Sequence, residues 1–93
     1  MRDDLADAIA KAGEVLLAEG ASEVYVLGSV ITGRFREGSD IDLAVRGLPP
    51  ERFYRAMGLA GNVLDRPLTL VDLDEDTPFT RYLETQGALQ RVG

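Results

Sequence analysis

Gly28-Ser29-Val30-Ile31-Thr32-Gly33-Arg34-Phe35-Arg36-Glu37-Gly38-Ser39-Asp40-Ile41-Asp42-Leu43-Ala44-Val45 is the stretch whose reading decides the fold. Its second half, from Asp40, reads as a strand in which an apolar residue follows each aspartate. Side chains alternate between the faces of a strand, so Asp40 and Asp42 share one face while Ile41 and Leu43 share the other. Residues two apart lie roughly 6–7 Å apart along the backbone. That spacing lets both carboxylates converge on a divalent cation, which relieves the repulsion of two acids on one face. A hard, oxygen-seeking ion such as Mg2+ suits the role.

Working outward, Val24-Tyr25-Val26-Leu27 is an apolar segment that runs straight into Gly28-Ser29. A glycine at that point permits a sharp turn and the close approach of a ligand. Ser29 is placed to cap a short helix over Val30 to Arg34, and its hydroxyl can bind a phosphate oxygen. The predicted order is strand, Gly-Ser turn, short helix, loop, Ser39, and Asp-Ile-Asp on a second strand. A phosphate-gripping turn beside paired acids is what a nucleoside triphosphate requires: the metal neutralises the phosphates and the turn fixes their position.

Gly28-Ser29, Gly33 and Ser39-Asp40-Ile41-Asp42-Leu43 resemble the signature of the DNA polymerase beta-like nucleotidyltransferase superfamily. At this length the chain is most similar to the minimal nucleotidyltransferases, the antitoxin partners in HEPN/MNT toxin–antitoxin pairs. The resemblance covers nearly the whole chain. It implies that Asp40 and Asp42 are catalytic and hold Mg2+, and that Gly28, Ser29, Gly33 and Ser39 serve the nucleotide, ATP or another NTP. In the family a third carboxylate sits on a later strand. Laid over that pattern, Pro67 to Leu73 places Thr69 where this acid belongs. Parity agrees: if Leu68 and Leu70 face the core, Thr69 and Val71 face the catalytic side, and Asp72 falls on the wrong face. A threonine hydroxyl carries no charge and is a poor base, so nucleotide and one metal are expected to bind while transfer is slow or absent.

Read without the resemblance, the same residues have plainer roles. Gly28 and Gly33 are turn glycines, though their spacing to Asp40 favours the site. Ser39 can cap the second strand, and Asp40 and Asp42 can be a solvated strand end. Arg34 and Arg36 are candidates to neutralise a triphosphate, but surface arginines seldom do anything so specific.

The bulk properties fit a single domain over residues 1–93. Of these residues 45% are hydrophobic, enough for a core, and 28% are charged, a mixture typical of globular chains. The net charge of −6 argues against a phosphate-tracking surface, so no direct nucleic-acid binding is expected. A basic partner or a metal-neutralised ligand fits better. With neither cysteine nor histidine, thiolate and imidazole chemistry are excluded. The N-terminus lacks an apolar signal core and no apolar run approaches ~18 residues, so a cytoplasmic protein without membrane contact is expected.

The remaining elements are scaffold. Leu5, Ala8, Ile9, Ala12 and Leu16 make one face of a helix over Asp3 to Glu19, with Gly20 as its stop. Glu23 to Leu27 and about Asp40 to Arg46 are the first two strands. A helix starts at Pro50 and runs to about Ala60, with Phe53, Ala56, Met57 and Ala60 on its core face and Gly61 closing it. Two parallel strands joined through this helix would make a right-handed crossover, with the pairing order left open by the sequence. Asp72 to Asp76 reads as a solvated loop, Thr77 and Pro78 start a last helix, and Gly87 stops it. Phe79 and Tyr82 are expected in the core rather than on a partner-binding patch. Ala88 to Val92 can add a short edge segment.

The expected architecture is a small α/β nucleotidyltransferase-like domain, a mixed three- to four-stranded sheet with helices mainly on one face. The implied function is that of an antitoxin that binds NTP–Mg2+ and transfers a nucleotidyl group, AMP by expectation, to a HEPN-type ribonuclease toxin. One alternative is a catalytically impaired module that masks the toxin sterically. Another is a small-molecule nucleotidyltransferase, disfavoured because little chain remains for a second substrate site. Homo- and hetero-oligomers are both compatible with the sequence.

Overall fold

The computed structural model describes residues 3–27, 41–86 and 89–92. Helix α1 spans Asp3–Ala18, strand β1 Glu23–Leu27 and strand β2 Ile41–Arg46. A 3-10 turn over Pro50–Arg52 leads into α2, Phe53–Leu64. Strand β3, Leu68–Asp72, helix α3, Pro78–Thr85, and strand β4, Leu89–Arg91, complete the chain. The four strands form one mixed sheet in the order β3-β2-β1-β4. β1 pairs antiparallel with both β2 and β4, and β2 pairs parallel with β3 through the crossover containing α2.

The period-2 pattern of the strands separates two apolar layers. Val24, Val26, Ile41, Leu43, Val45 and Leu70 face α1 and α2, where Ile9, Ala12, Leu16, Ala56, Ala60 and Leu64 close over them. On the other face Leu27, Ala44 and Leu73 pack with Leu83 of α3, joined by Tyr25, Val71 and Leu89. Two helices on one face and one short helix on the other satisfy the expectation of a mainly one-sided covering. β2 is buried from both sides, and Ile41, Leu43, Ala44 and Val45 have no exposed surface. Each fully buried Val, Leu or Ile contributes about 1.5–3 kcal/mol relative to an exposed one. The strand carrying Asp42 is therefore firmly anchored from both faces.

Several element boundaries differ from the sequence expectation. The second helix does not stop at Gly61; it continues to Leu64 and ends on Asp65 at φ 54° in the left-handed region, with the Asp65 N–H bonded to the Gly61 carbonyl at 2.9 Å. Leu64 is buried, and that burial outweighs the stop signal of an internal glycine. Prolines at 49 and 50 begin the segment as a 3-10 turn rather than as α-helix. Phe79 and Tyr82 are not core residues: they are 53% and 58% exposed. Helix α3 spans only 8 residues and buries Thr80 and Leu83 instead, which leaves both aromatic rings on its outer side. The expected cap holds: the Thr77 hydroxyl accepts from the Thr80 N–H at 3.1 Å, while Thr80 Oγ1 accepts from the Thr77 N–H at 3.0 Å. The predicted helix over Val30 to Arg34 and the stop at Gly87 lie outside the described residues.

Candidate functional site

The parallel register of β2 and β3 pairs Ile41 with Leu68, Asp42 with Thr69, Leu43 with Leu70 and Val45 with Asp72. Ile41, Leu43, Leu68 and Leu70 belong to the layer beneath α1 and α2. By alternation Asp42 and Thr69 share the opposite face, at the end of the sheet where β2 and β3 begin. The antiparallel register of β1 and β2 places Leu27 directly across from Asp42. β1 thus ends beside Asp42, and the next residue along the chain is Gly28. Asp42 is half-buried and Thr69 exposed.

Asp72 stands apart from this pair. It is the last residue of β3, at the far end of the strand from Asp42. Its position has the parity of Leu68 and Leu70, and it lines a cleft beside Phe53 and Tyr54 at the start of α2. Its Oδ1 accepts the Asp74 N–H at 2.9 Å. Asp72 therefore does not stand in for a third acid beside Asp42, and the β3 position facing Asp42 is held by Thr69. Gly28, Ser29, Gly33, Arg34, Arg36, Ser39 and Asp40 lie outside the described residues. Among the described residues no group of three or more Asp or Glu side chains is gathered closely enough to hold a metal ion.

The rest of the face is tied by charge. The Tyr25 hydroxyl donates to the Glu23 carboxylate, which pushes its phenol above the usual tyrosine range. Arg46, at the end of β2 away from Asp42, donates to Glu84 of α3, an exposed pair that raises the guanidinium's already high pKa further. The first contact stays within β1, and the second ties β2 to α3. The sequence reading missed the acid–aromatic cleft formed by Pro50, Phe53, Tyr54, Asp72 and Glu75. Its sequence signal was Tyr54, a large aromatic one position off the core stripe that begins at Phe53. No helix among the described residues is long and apolar enough to cross a membrane.

The same fold recurs among known proteins. The family model described as polymerase beta, nucleotidyltransferase matches residues 4–89. No curated protein matches the chain. Among solved structures, one chain of a toxin–antitoxin complex with AMP-PNP superposes with a TM-score of 0.69 at 21% identity, covering 95% of this chain and 72% of that one. A candidate minimal nucleotidyltransferase superposes with a TM-score of 0.69 at 27% identity, over 88% of this chain and 90% of that one. A complex of a tri-AMPylated HEPN toxin from Shewanella oneidensis with its MNT antitoxin gives a TM-score of 0.63 at 19% identity, over 100% and 72%. The low identities carry the fold, and the family match carries the assignment: this chain belongs to the polymerase beta nucleotidyltransferase family.

Proposed function

We propose that the chain is a minimal nucleotidyltransferase-type antitoxin. In this reading it is a cytoplasmic protein that binds a nucleoside triphosphate, ATP first, and acts on a HEPN-type ribonuclease toxin. The observation that carries the reading is the placement of Asp42 across from the last residue of β1, which leads directly into Gly28-Ser29. Solved complexes of similar fold lend support, since one holds AMP-PNP and another pairs an MNT antitoxin with an AMPylated HEPN toxin.

Asp40 and Asp42 offer only hard carboxylate oxygens, and the chain has no histidine or cysteine. That donor set fits Mg2+ and not a soft metal. Bound there, Mg2+ would neutralise the phosphates of the nucleotide. The Gly28-Ser29 turn would supply backbone and hydroxyl donors to phosphate oxygens, with Gly33 permitting close approach and Ser39 steadying the loop. In transfer the acceptor hydroxyl must lose its proton to attack the α-phosphate, while the α–β phosphoanhydride bond breaks and pyrophosphate leaves. Thr69 cannot take that proton, because a neutral hydroxyl is far too weak a base. The place of Thr69 in the register therefore favours a second reading, in which the chain masks the toxin sterically and transfers little or nothing.

One experiment separates the two. The chain is incubated with labelled ATP, Mg2+ and a HEPN-type toxin, and both label incorporation and residual ribonuclease activity are followed. A catalytic antitoxin labels the toxin and loses neutralisation as Asp42→Asn. A steric one neutralises without label and is indifferent to Asp42→Asn. Failure to neutralise the toxin under either regime overturns the antitoxin reading.

A further inference from the structure

We propose that the cleft between the start of α2 and the end of β3 seats one arginine side chain of a basic partner protein. The cleft is lined by Pro50, Phe53, Tyr54, Asp72 and Glu75 and has a volume of about 180 Å³. It lies at the end of β3 away from Asp42, so the inference stands whether or not the chain transfers nucleotide.

Four observations converge on a guanidinium. First, the lining pairs two aromatic rings with two carboxylates. Phe53 and Tyr54 meet edge to face, with centroids 5.6 Å apart and planes at 85°, so they present surfaces in two orientations. A planar cation can lie over one ring while its N–H groups reach the acids, an arrangement arginine meets better than lysine.

Second, the exposure is in the right place. Tyr54 is 77% exposed, the highest value among the large exposed hydrophobics of the described residues, and Glu75 lies on the exposed loop. A ring held in the open beside carboxylates costs little to cover and gains from stacking.

Third, among the described residues the neighbouring cations Arg52 and Arg55 are committed elsewhere. Arg52 donates to the Glu19 carbonyl at 3.3 Å, and Arg55 pairs with the Glu19 carboxylate at 3.0 Å. Both reach back to the end of α1. Asp72 accepts a backbone N–H from Asp74 at one of its two oxygens, and a carboxylate has further lone pairs for an incoming donor.

Fourth, size decides between a whole ligand and an anchor. Pockets for cofactors and small molecules run from roughly 300 Å³ upward. At about 180 Å³ this cleft is too small for a nucleotide and suits a single side chain of a larger surface. A net charge of −6 draws basic surfaces toward the chain as a whole, so long-range attraction and local fit act together.

The test uses the full chain, labelled with 15N, and a blocked Gly-Arg-Gly peptide. Its citrulline counterpart has the same shape without the charge. The arginine peptide is expected to bind weakly, with shifts confined to residues around Phe53, Tyr54, Asp72 and Glu75, and the citrulline peptide at least about fivefold more weakly. Glu75→Gln and Tyr54→Ala, both at exposed positions, should each weaken binding about three- to fivefold. Equal binding of the two peptides overturns the proposal, as do shifts spread over the acidic surface or centred near Asp42. A concentration-dependent dimer that Glu75→Gln dissolves would assign the cleft to an arginine of a second copy, and would overturn the partner-protein reading.

Discussion

Asp42 and Thr69 face each other across the parallel β2–β3 ladder, so the β3 position beside this carboxylate carries a hydroxyl and no second acid. The neighbouring strand positions are fixed by buried leucines on the opposite face, Leu43 and Leu70. A slip of one residue would turn those leucines into solvent, so the register is secured from beneath. The absence of a carboxylate across from Asp42 is thus a property of the sequence at position 69, and β3 cannot shift to supply one.

If transfer is limited by that missing base, Thr69→Asp should raise label incorporation from ATP by on the order of tenfold or more. At saturating toxin, where any weakening of partner docking is masked, Asp72→Ala should leave incorporation unchanged, because its parity and position put it at the other end of β3 and toward α2. The measurement is incorporation of labelled nucleotide into a HEPN-type toxin, with thermal unfolding as a control for folding. Loss of activity in Asp72→Ala with no gain in Thr69→Asp would show that the catalytic register is different.

Gly47 links the end of β2 to the turn that follows. It adopts φ +81°, and a Cβ there would lie 2.5 Å from Ser22 Oγ. Its N–H also donates to Asp74 Oδ2 at 2.7 Å. Gly47→Ala should therefore cost about 1–3 kcal/mol through backbone strain, with the collision added. Gly58 is the internal control. It sits within α2, where an added methyl would meet nothing inside 4 Å, so Gly58→Ala should stabilise by about 0.5–1 kcal/mol. Paired urea titrations of the two variants check both signs.

Asp76 and Arg81 tie the loop after β3 to helix α3 through contacts of 2.6 and 3.0 Å. The Arg81 guanidinium holds the Asp76 carboxyl below its ordinary value. A depressed folded pKa means the stabilisation is present above the unfolded pKa and is lost as pH falls through the folded one. The pair is fully exposed, so the effect is small and screened by salt. Asp76→Asn should flatten a shallow part of the melting-temperature profile below about pH 4 and leave neutral pH nearly unaffected. A wild-type profile that matches Asp76→Asn throughout acid titration would remove the pair from the account.

The sheet and the identity of its core were legible because strand alternation is a local signal. Ile41 and Leu43 opposite Asp42, and Leu68 and Leu70 opposite Thr69, could be assigned from parity alone. The Thr77-Pro78 start of α3 was legible for the same reason, since capping chemistry is written in adjacent residues. What escaped was set by distant packing. The extension of α2 past Gly61 depends on the burial of Leu64, and the exposure of Phe79 and Tyr82 on how α3 lies against the sheet. No spacing within the helix reveals which of its faces meets a partner. For the site itself, Asp42 and Thr69 were correctly placed on one face by alternation, while the phosphate-gripping turn rests on sequence alone.

The contrast between buried and exposed apolar residues yields a final measurement. Leu43 has no exposed surface and lies in the layer under α1 and α2. Leu43→Ala removes that packing and leaves a void the surrounding strands cannot close, so it should cost about 2–5 kcal/mol. Tyr82 is 58% exposed, and Tyr82→Ala in the isolated chain should cost within about 0.5 kcal/mol, as surface substitutions do. Leu83 is the neighbour that does the anchoring, being buried against Leu27, Ala44 and Leu73, so Leu83→Ala should behave like Leu43→Ala. Chemical denaturation of the three variants under one condition orders them. A Tyr82→Ala loss equal to that of Leu83→Ala would mean that α3 turns its aromatic face inward in solution.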